Sequence, residues 1–161
     1  MRKIKKYYPN ILVAMQFSII GLMIIFTHNF CITPYPIMVF IIGLAFGIWA
    51  LKHNQLGNFH IQPILRENCK LVTTGIYRYI RHPIYLSVIV MMLSIIIATP
   101  TIVEFLLFSL LIIVLLLKAL KEESLWCGHN IEYQKYRKNS KLFINILKEN
   151  SILIAKAIRW R

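Results

Sequence analysis

Apolar residues gather in four long runs, 11–27, 35–51, 83–99 and 102–117, each 16 or 17 residues long and each bounded by polar or turn-forming positions. That length lies at the short end of what crosses a hydrocarbon core as a helix. A soluble domain could bury one such run, but four of them in 161 residues leave too little polar sequence to cover them. The pattern predicts an all-α, polytopic membrane protein with about four transmembrane helices. It forms a single domain over 1–161, with a cytoplasmic tail from 118 to 161.

The segments between the runs differ in charge. Arg2, Lys3, Lys5 and Lys6 precede the first run; Lys52, Arg66, Lys70, Arg78 and Arg81 fill the middle segment; every other Lys or Arg stands at Lys118 or later, and the short segments 29–34 and 100–104 carry none. Because Lys and Arg are retained on the cytoplasmic side, both termini and the middle loop are expected there, with two short proline-containing turns outside. The expected location is an integral, multi-pass position in a bacterial inner membrane. The basic start followed by an apolar run lacks a small-x-small cleavage site and reads as an uncleaved anchor. The middle loop, 52–82, is long enough to be functional. It is broken at Gly57-Asn58, Gln62-Pro63 and Thr74-Gly75 and ends in Tyr77-Arg78-Tyr79-Ile80-Arg81-His82, with Pro83 placed to open the third helix. Apolar and basic residues are mixed over 142–161, which predicts a C-terminal amphipathic helix lying on membrane lipids.

Composition narrows the function classes. The chain is 58% hydrophobic and 16% charged, with 19 Lys and Arg against 6 acids, a net charge of +13. Those charges stand in blocks between apolar runs, whereas a nucleic-acid binder spreads them over a polar domain, so no nucleic-acid partner is expected. All six acids are glutamates, and the absence of aspartate removes Walker-B, EF-hand and Ser/His/Asp chemistry. Cys31, Cys69 and Cys127 form no CxxC pair, and His53, His60, His82 and His129 share no metal-binding spacing, so no metal is expected.

Two clusters carry candidate chemistry. Arg81-His82-Pro83-Ile84-Tyr85 stands where the loop enters the third run. An Arg beside a His at an apolar boundary suits an anionic or polar cofactor, and Tyr77, Tyr79 and Tyr85 add faces and hydroxyls; a snorkelling basic girdle with an aromatic belt is the alternative. The second cluster, Lys118-Ala-Leu-Lys121-Glu122-Glu123, closes the fourth run, with Lys118 and Glu122 on one helix face. Acids near a helix C-terminus oppose the macrodipole, so a positive group should compensate them. Lys118, Lys121 or Arg81 could do so, and so could a cationic ligand at the cytoplasmic face. Tyr133 and Tyr136 are expected to pack a following helix against the membrane interface.

The string from Leu71 through Gly75, Tyr77, Arg81-His82-Pro83-Ile84-Tyr85, followed by Glu122-Glu123 and Tyr133-x-x-Tyr136, resembles the isoprenylcysteine carboxyl methyltransferase family. That family belongs with other small membrane methyltransferases, the phospholipid N-methyltransferases among them, which use S-adenosylmethionine near the cytoplasmic membrane face. The resemblance covers roughly 58–136. It implies a cofactor-binding set of Cys69, Lys70, Leu71, Val72, Tyr77, His82, Pro83, Ile84 and Tyr85, completed by Glu122 or Glu123. A sulfonium would give the oddly placed acids their partner, with tyrosine faces covering it. Arg81 and Lys118 are the candidate catalytic residues, and Lys118 falls where the carboxyl methyltransferases place a substrate-binding Arg. A Lys there lacks the bidentate fork for a carboxylate. The resulting expectation is an S-adenosylmethionine-dependent methyltransferase whose lipophilic acceptor enters from the bilayer. A phospholipid N-methyltransferase, a non-enzymatic protein binding anionic lipid, and a membrane reductase are the alternatives.

Overall fold

The computed structural model describes residues 2–27, 33–54, 71–129 and 131–143, with side chains placed from Tyr7 onward except at residue 129. The described residues form five α-helices: α1 Arg2–Phe26, α2 Pro34–His53, α3 Pro83–Ala98, α4 Ile102–His129 and α5 Ile131–Asn139, with a 3₁₀ turn at Gly75–Arg78 before α3. The fold is all-α; among the described residues the β pairing is one isolated parallel bridge between Ile80 and Lys141. Stretches within α1, α2 and α4, Tyr7–Phe26, Pro34–His53 and Ile102–Gly128, are long and apolar enough to cross a membrane, and α3 is a shorter apolar helix.

The helix starts are written locally. Pro34 and Pro83 open α2 and α3, where the missing N–H has no intrahelical partner to lose. Thr101 precedes α4 and its hydroxyl accepts the Glu104 N–H at 3.3 Å, as in the Thr-x-x-Glu start signal. The α3–α4 connection is tight, because Thr99 donates both its N–H and its hydroxyl to the Ile95 carbonyl.

Two close helix pairs make the bundle, α2 on α3 and α1 on α4, and α3 also meets α4. Gly43 and Gly47 let α2 approach α3: a Cβ at Gly43 would stand 2.8 Å from the Met91 backbone nitrogen, and one at Gly47 would stand 2.9 Å from Ser87 Oγ. Leu12, Ile19 and Met23 of α1 join Met92, Leu111, Val114 and Leu115 in the main core. The outward faces remain apolar, as at Ile25, Tyr35, Ile102 and Leu106, each more than 60% exposed. Hydrocarbon rather than water suits such faces.

Two smaller clusters bring the connecting segments onto one end of the bundle. Ala50, Ile76 and Tyr77, with Phe46, Val72 and Ile84 around them, seat the segment before α3 on the end of α2. Gly75 takes φ +59°, and any Cβ there would collide with the His53 ring, so the turn needs glycine on both counts. Ala119, Leu142 and Phe143, with Tyr85, Leu86 and Leu116, seat residues 140–143 on α4.

Three elements differ from the sequence pattern. The first helix begins at Arg2, well before residue 11. α4 does not close after residue 117; it continues to His129, so Glu122 and Glu123 lie inside the helix rather than at its C-terminus. Residues 118–127 contain neither Gly nor Pro, and once a helix is nucleated such residues propagate it. Leu142 and Phe143 are bends rather than the start of an amphipathic helix, and the rest of that predicted helix lies outside the described residues.

Candidate active site

At the end of the bundle where α2 finishes and α3 starts, a charged cluster forms around Glu122 and Glu123 of α4. Arg81, just before α3, donates from Nε to Glu123 Oε1 at 2.6 Å, with the two side chains 6% and 3% exposed. The Arg81 Nη1 group donates to the Arg137 carbonyl at 3.1 Å and to the Ser140 carbonyl. Arg81 thereby satisfies carbonyls at the end of α5, which the helix itself leaves without partners. Arg137 brings a second guanidinium to Glu123, with Nε 3.2 Å from Oε2.

Glu122 has a different environment. Its Oε1 accepts the Tyr85 hydroxyl at 2.5 Å, and its Oε2 lies 3.4 Å from His82 Nδ1. The same imidazole places Nε2 3.6 Å from Glu123 Oε1, too far for a hydrogen bond, and Nε2 has no hydrogen-bond partner. Glu122 stays 21% exposed. Two guanidiniums therefore neutralise Glu123, while Glu122 keeps its opening and meets one neutral hydroxyl and one imidazole.

Aromatic rings frame the carboxylates. His82 stacks on Tyr85 with centroids 5.5 Å apart, and Phe143 meets His82 edge-on at 6.2 Å. Lys118 Nζ lies 5.1 Å from the Tyr85 ring centroid and donates to Gln16 Oε1 of α1 at 2.5 Å. Lys118 is 1% exposed, one helical turn before Glu122. Tyr136 donates its hydroxyl to the Tyr77 carbonyl at 2.5 Å.

Burial alone would disfavour the imidazolium of His82. The nearby carboxylates of Glu122 and Glu123 outweigh it, so the His82 pKa is raised above the ordinary 6.5. Burial raises Tyr77 well above the ordinary phenol range, reinforced by Tyr136 and Glu122. Tyr136 is pushed up to about 12, again by burial first, with Ser140 and Arg81 opposing the shift. These phenols stay protonated, and Tyr136 acts as a donor.

Of the residues singled out in the sequence, Tyr77, Arg81, His82, Tyr85, Lys118, Glu122 and Glu123 stand at this end of the bundle, linked by the contacts above. Pro83 opens α3 beneath His82 and is buried, and Val72 and Ile84 pack with Tyr77 in its apolar cluster. Leu71 is half-buried at the start of that segment, and Cys69 and Lys70 lie outside the described residues. Tyr133 and Tyr136 do not face the membrane interface as expected: Tyr133 is 3% exposed and stacks on Trp126 at 5.7 Å, and Tyr136 turns inward to Tyr77. Among the described residues no group of three His, Cys or Glu side chains is placed to hold a metal ion.

Gln16, Arg137, Ser140 and Phe143 are the site residues that sequence reasoning missed. Gln16 had a signal, as the one amide inside the first apolar run. Arg137 had none, being one of several cations in a basic segment.

The family model for phospholipid methyltransferases matches residues 17–128, which includes α3 and the Glu122–Glu123 pair of α4. No curated protein and no solved structure matches the chain.

Proposed function

Since the chain belongs to the phospholipid methyltransferase family, and so to the membrane methyltransferases, we propose that it methylates an amine on a lipid headgroup with S-adenosylmethionine as donor. Glu122 is the observation that carries this reading. A partly open carboxylate, with the Arg81 and Arg137 guanidiniums directed to its neighbour Glu123 instead, keeps a face for a cationic ligand, and a sulfonium or an ammonium fits there. S-Adenosylmethionine, when bound, supplies a methyl group on a positively charged sulfur.

The residues then divide by task. Glu122 attracts the cationic end of the cofactor, the Tyr85 hydroxyl fixes the orientation of that carboxylate, and His82 bridges it to Glu123. Tyr77, Val72 and Ile84 offer an apolar wall for the rest of the cofactor, joined by Leu71, Pro83, Cys69 and Lys70 as the family resemblance implies. Glu123, already neutralised, holds Arg81 and Arg137 in place, so Arg81 is assigned a positioning role. Lys118 has N–H donors beyond the one given to Gln16 and serves the anionic part of the acceptor. A single ammonium tied to an amide suits a phosphate as a point charge better than it suits a carboxylate needing a fork, which favours the headgroup over a prenylcysteine. Methyl transfer by direct displacement needs alignment and exclusion of water more than a covalent nucleophile, and a buried, aromatic-walled site supplies both.

The four apolar helices are assigned as spans of one domain, with both termini, the middle loop and the site on the cytoplasmic side. The lipophilic acceptor enters from the bilayer between helices.

Calorimetric titration of S-adenosylmethionine into the detergent-purified protein tests the site. Wild type is expected to bind saturably, and Glu122→Gln is expected to weaken binding by roughly tenfold or more, the scale of one charge-assisted contact. Unchanged affinity in Glu122→Gln removes Glu122 from the site. Isotope transfer into phosphatidylethanolamine, compared with a prenylcysteine, then decides the acceptor.

A further inference from the structure

The element that closes the site carries its charge on the other side. α5 and residues 140–143 turn Tyr133, Ser140, Leu142 and Phe143 inward, where Phe143 walls His82 and Arg81 holds the carbonyls of Arg137 and Ser140. The backbone adds three bonds between the crossing segments: Lys141 N–H to the Tyr79 carbonyl at 2.9 Å, Arg81 N–H to the Lys141 carbonyl at 2.8 Å, and His82 N–H to the Leu142 carbonyl at 3.3 Å.

Outward, the same element presents Lys135, Lys138 and Lys141, all exposed, and its one acid, Glu132, is already engaged. The backbone bridge sets Lys141 beside Tyr79, which is 66% exposed with the exposed Arg78 guanidinium 6.0 Å from its ring centroid. The element thus adds three exposed lysines beside an exposed, amphipathic aromatic. It sits one residue beyond α4, a helix apolar enough to span, so the nearest anionic surface is the protein's own bilayer.

We propose that this surface binds the headgroups of anionic phospholipids, and that the docking holds α5 and residues 140–143 closed against the cofactor site. The first half stands on charge and exposure. The second rests on the proposed cofactor site, because the contacts that retain the element, Arg81 to Ser140 and Phe143 to His82, are the ones that border Glu122 and Glu123. A lipid that favours the docked position favours the closed site, and by linkage the cofactor then binds more tightly.

The test uses the full-length protein in phosphatidylcholine nanodiscs with and without phosphatidylglycerol. Backbone hydrogen exchange is followed over 131–143, and S-adenosylhomocysteine affinity is measured in parallel. Phosphatidylglycerol is expected to slow exchange of that segment on the order of tenfold and to tighten the ligand roughly fivefold, both effects falling as salt rises. The triple variant Lys135→Gln, Lys138→Gln, Lys141→Gln is expected to lose the lipid response while keeping its phosphatidylcholine behaviour, and the corresponding triple Arg variant to retain it. Equal exchange in the two bilayers, or a full response in the Gln variant, overturns the docking surface. Slowed exchange with unchanged ligand affinity overturns the coupling alone. Failure of the wild type to bind the ligand in either bilayer overturns the cofactor reading instead, and the exchange measurement, which needs no ligand, still decides the docking.

Discussion

His82 shows how much one side chain at this site depends on its neighbours. It faces a carboxylate from each ring nitrogen, and their joint pull outweighs the burial that would otherwise keep the ring neutral. A raised folded-state pKa has a definite sign. The charged imidazole stabilises the fold fully below its unfolded value of 6.5, and that contribution is lost as pH rises through the higher folded value. The cofactor-free protein is therefore expected to lose stability as pH climbs above about 6.5. His82→Gln should flatten this slope and lower stability mainly at the acid end, as read by thermal unfolding in detergent across pH 5–9. A slope unchanged by the substitution would show that the glutamates do not hold the proton. The same contrast between neighbouring residues separates the two acids, which the sequence presents as an undivided pair. Adjacent helix positions point in different directions, so Glu123 turns toward Arg81 and Arg137 while Glu122 turns toward Tyr85 and the opening.

At the scale of the elements, the glycines discriminate packing from simple helix propensity. Gly43 faces Met91 of α3 with no room for a Cβ, whereas Gly21 of α1 has nothing within 4 Å of the same position. Gly21→Ala is expected to be neutral or slightly stabilising, since alanine is the better helix former by about 1 kcal/mol. Gly43→Ala should destabilise by about 1–3 kcal/mol, because α2 must move off α3. Unfolding of the two variants side by side checks the sign of the difference; equal stability would mean that α2 and α3 are not in close contact. The elements were legible where their signals are local. The apolar runs gave four helices, and Pro83 marked the start of α3. The end of α4 was not legible from hydropathy, because the run ends at residue 117 while the helix, built of good helix formers, does not. Hydropathy reports which solvent a segment meets, and the backbone hydrogen bonds that extend a helix are indifferent to it.

In the whole molecule, the site joins residues that the chain separates by as much as 102 positions, as in the Gln16–Lys118 bond. The motif from Tyr77 to Tyr85 and the acidic pair were readable because each is compact in sequence. Arg137, Ser140 and Phe143 were not, since their role comes from the crossing of residues 79–82 with 141–142 and no local pattern encodes that crossing. The same assembly predicts an orientation. The end of α2, the start of α3 and the end of α4 lie together, and around them stand the exposed cations Lys52, Arg78, Lys135, Lys138 and Lys141, whereas the α3–α4 turn carries no Lys or Arg. Moving such a cluster across a bilayer is far costlier than moving the turn, so the site should face the cytoplasm. With Cys31, Cys69 and Cys127 replaced by Ser, Pro100→Cys is expected to react with a membrane-impermeant maleimide in intact cells. Lys138→Cys is expected to react only after the membrane is opened. The reverse pattern would put the site on the outer face, away from any cytosolic methyl donor, and would remove the orientation and the proposed cofactor route together.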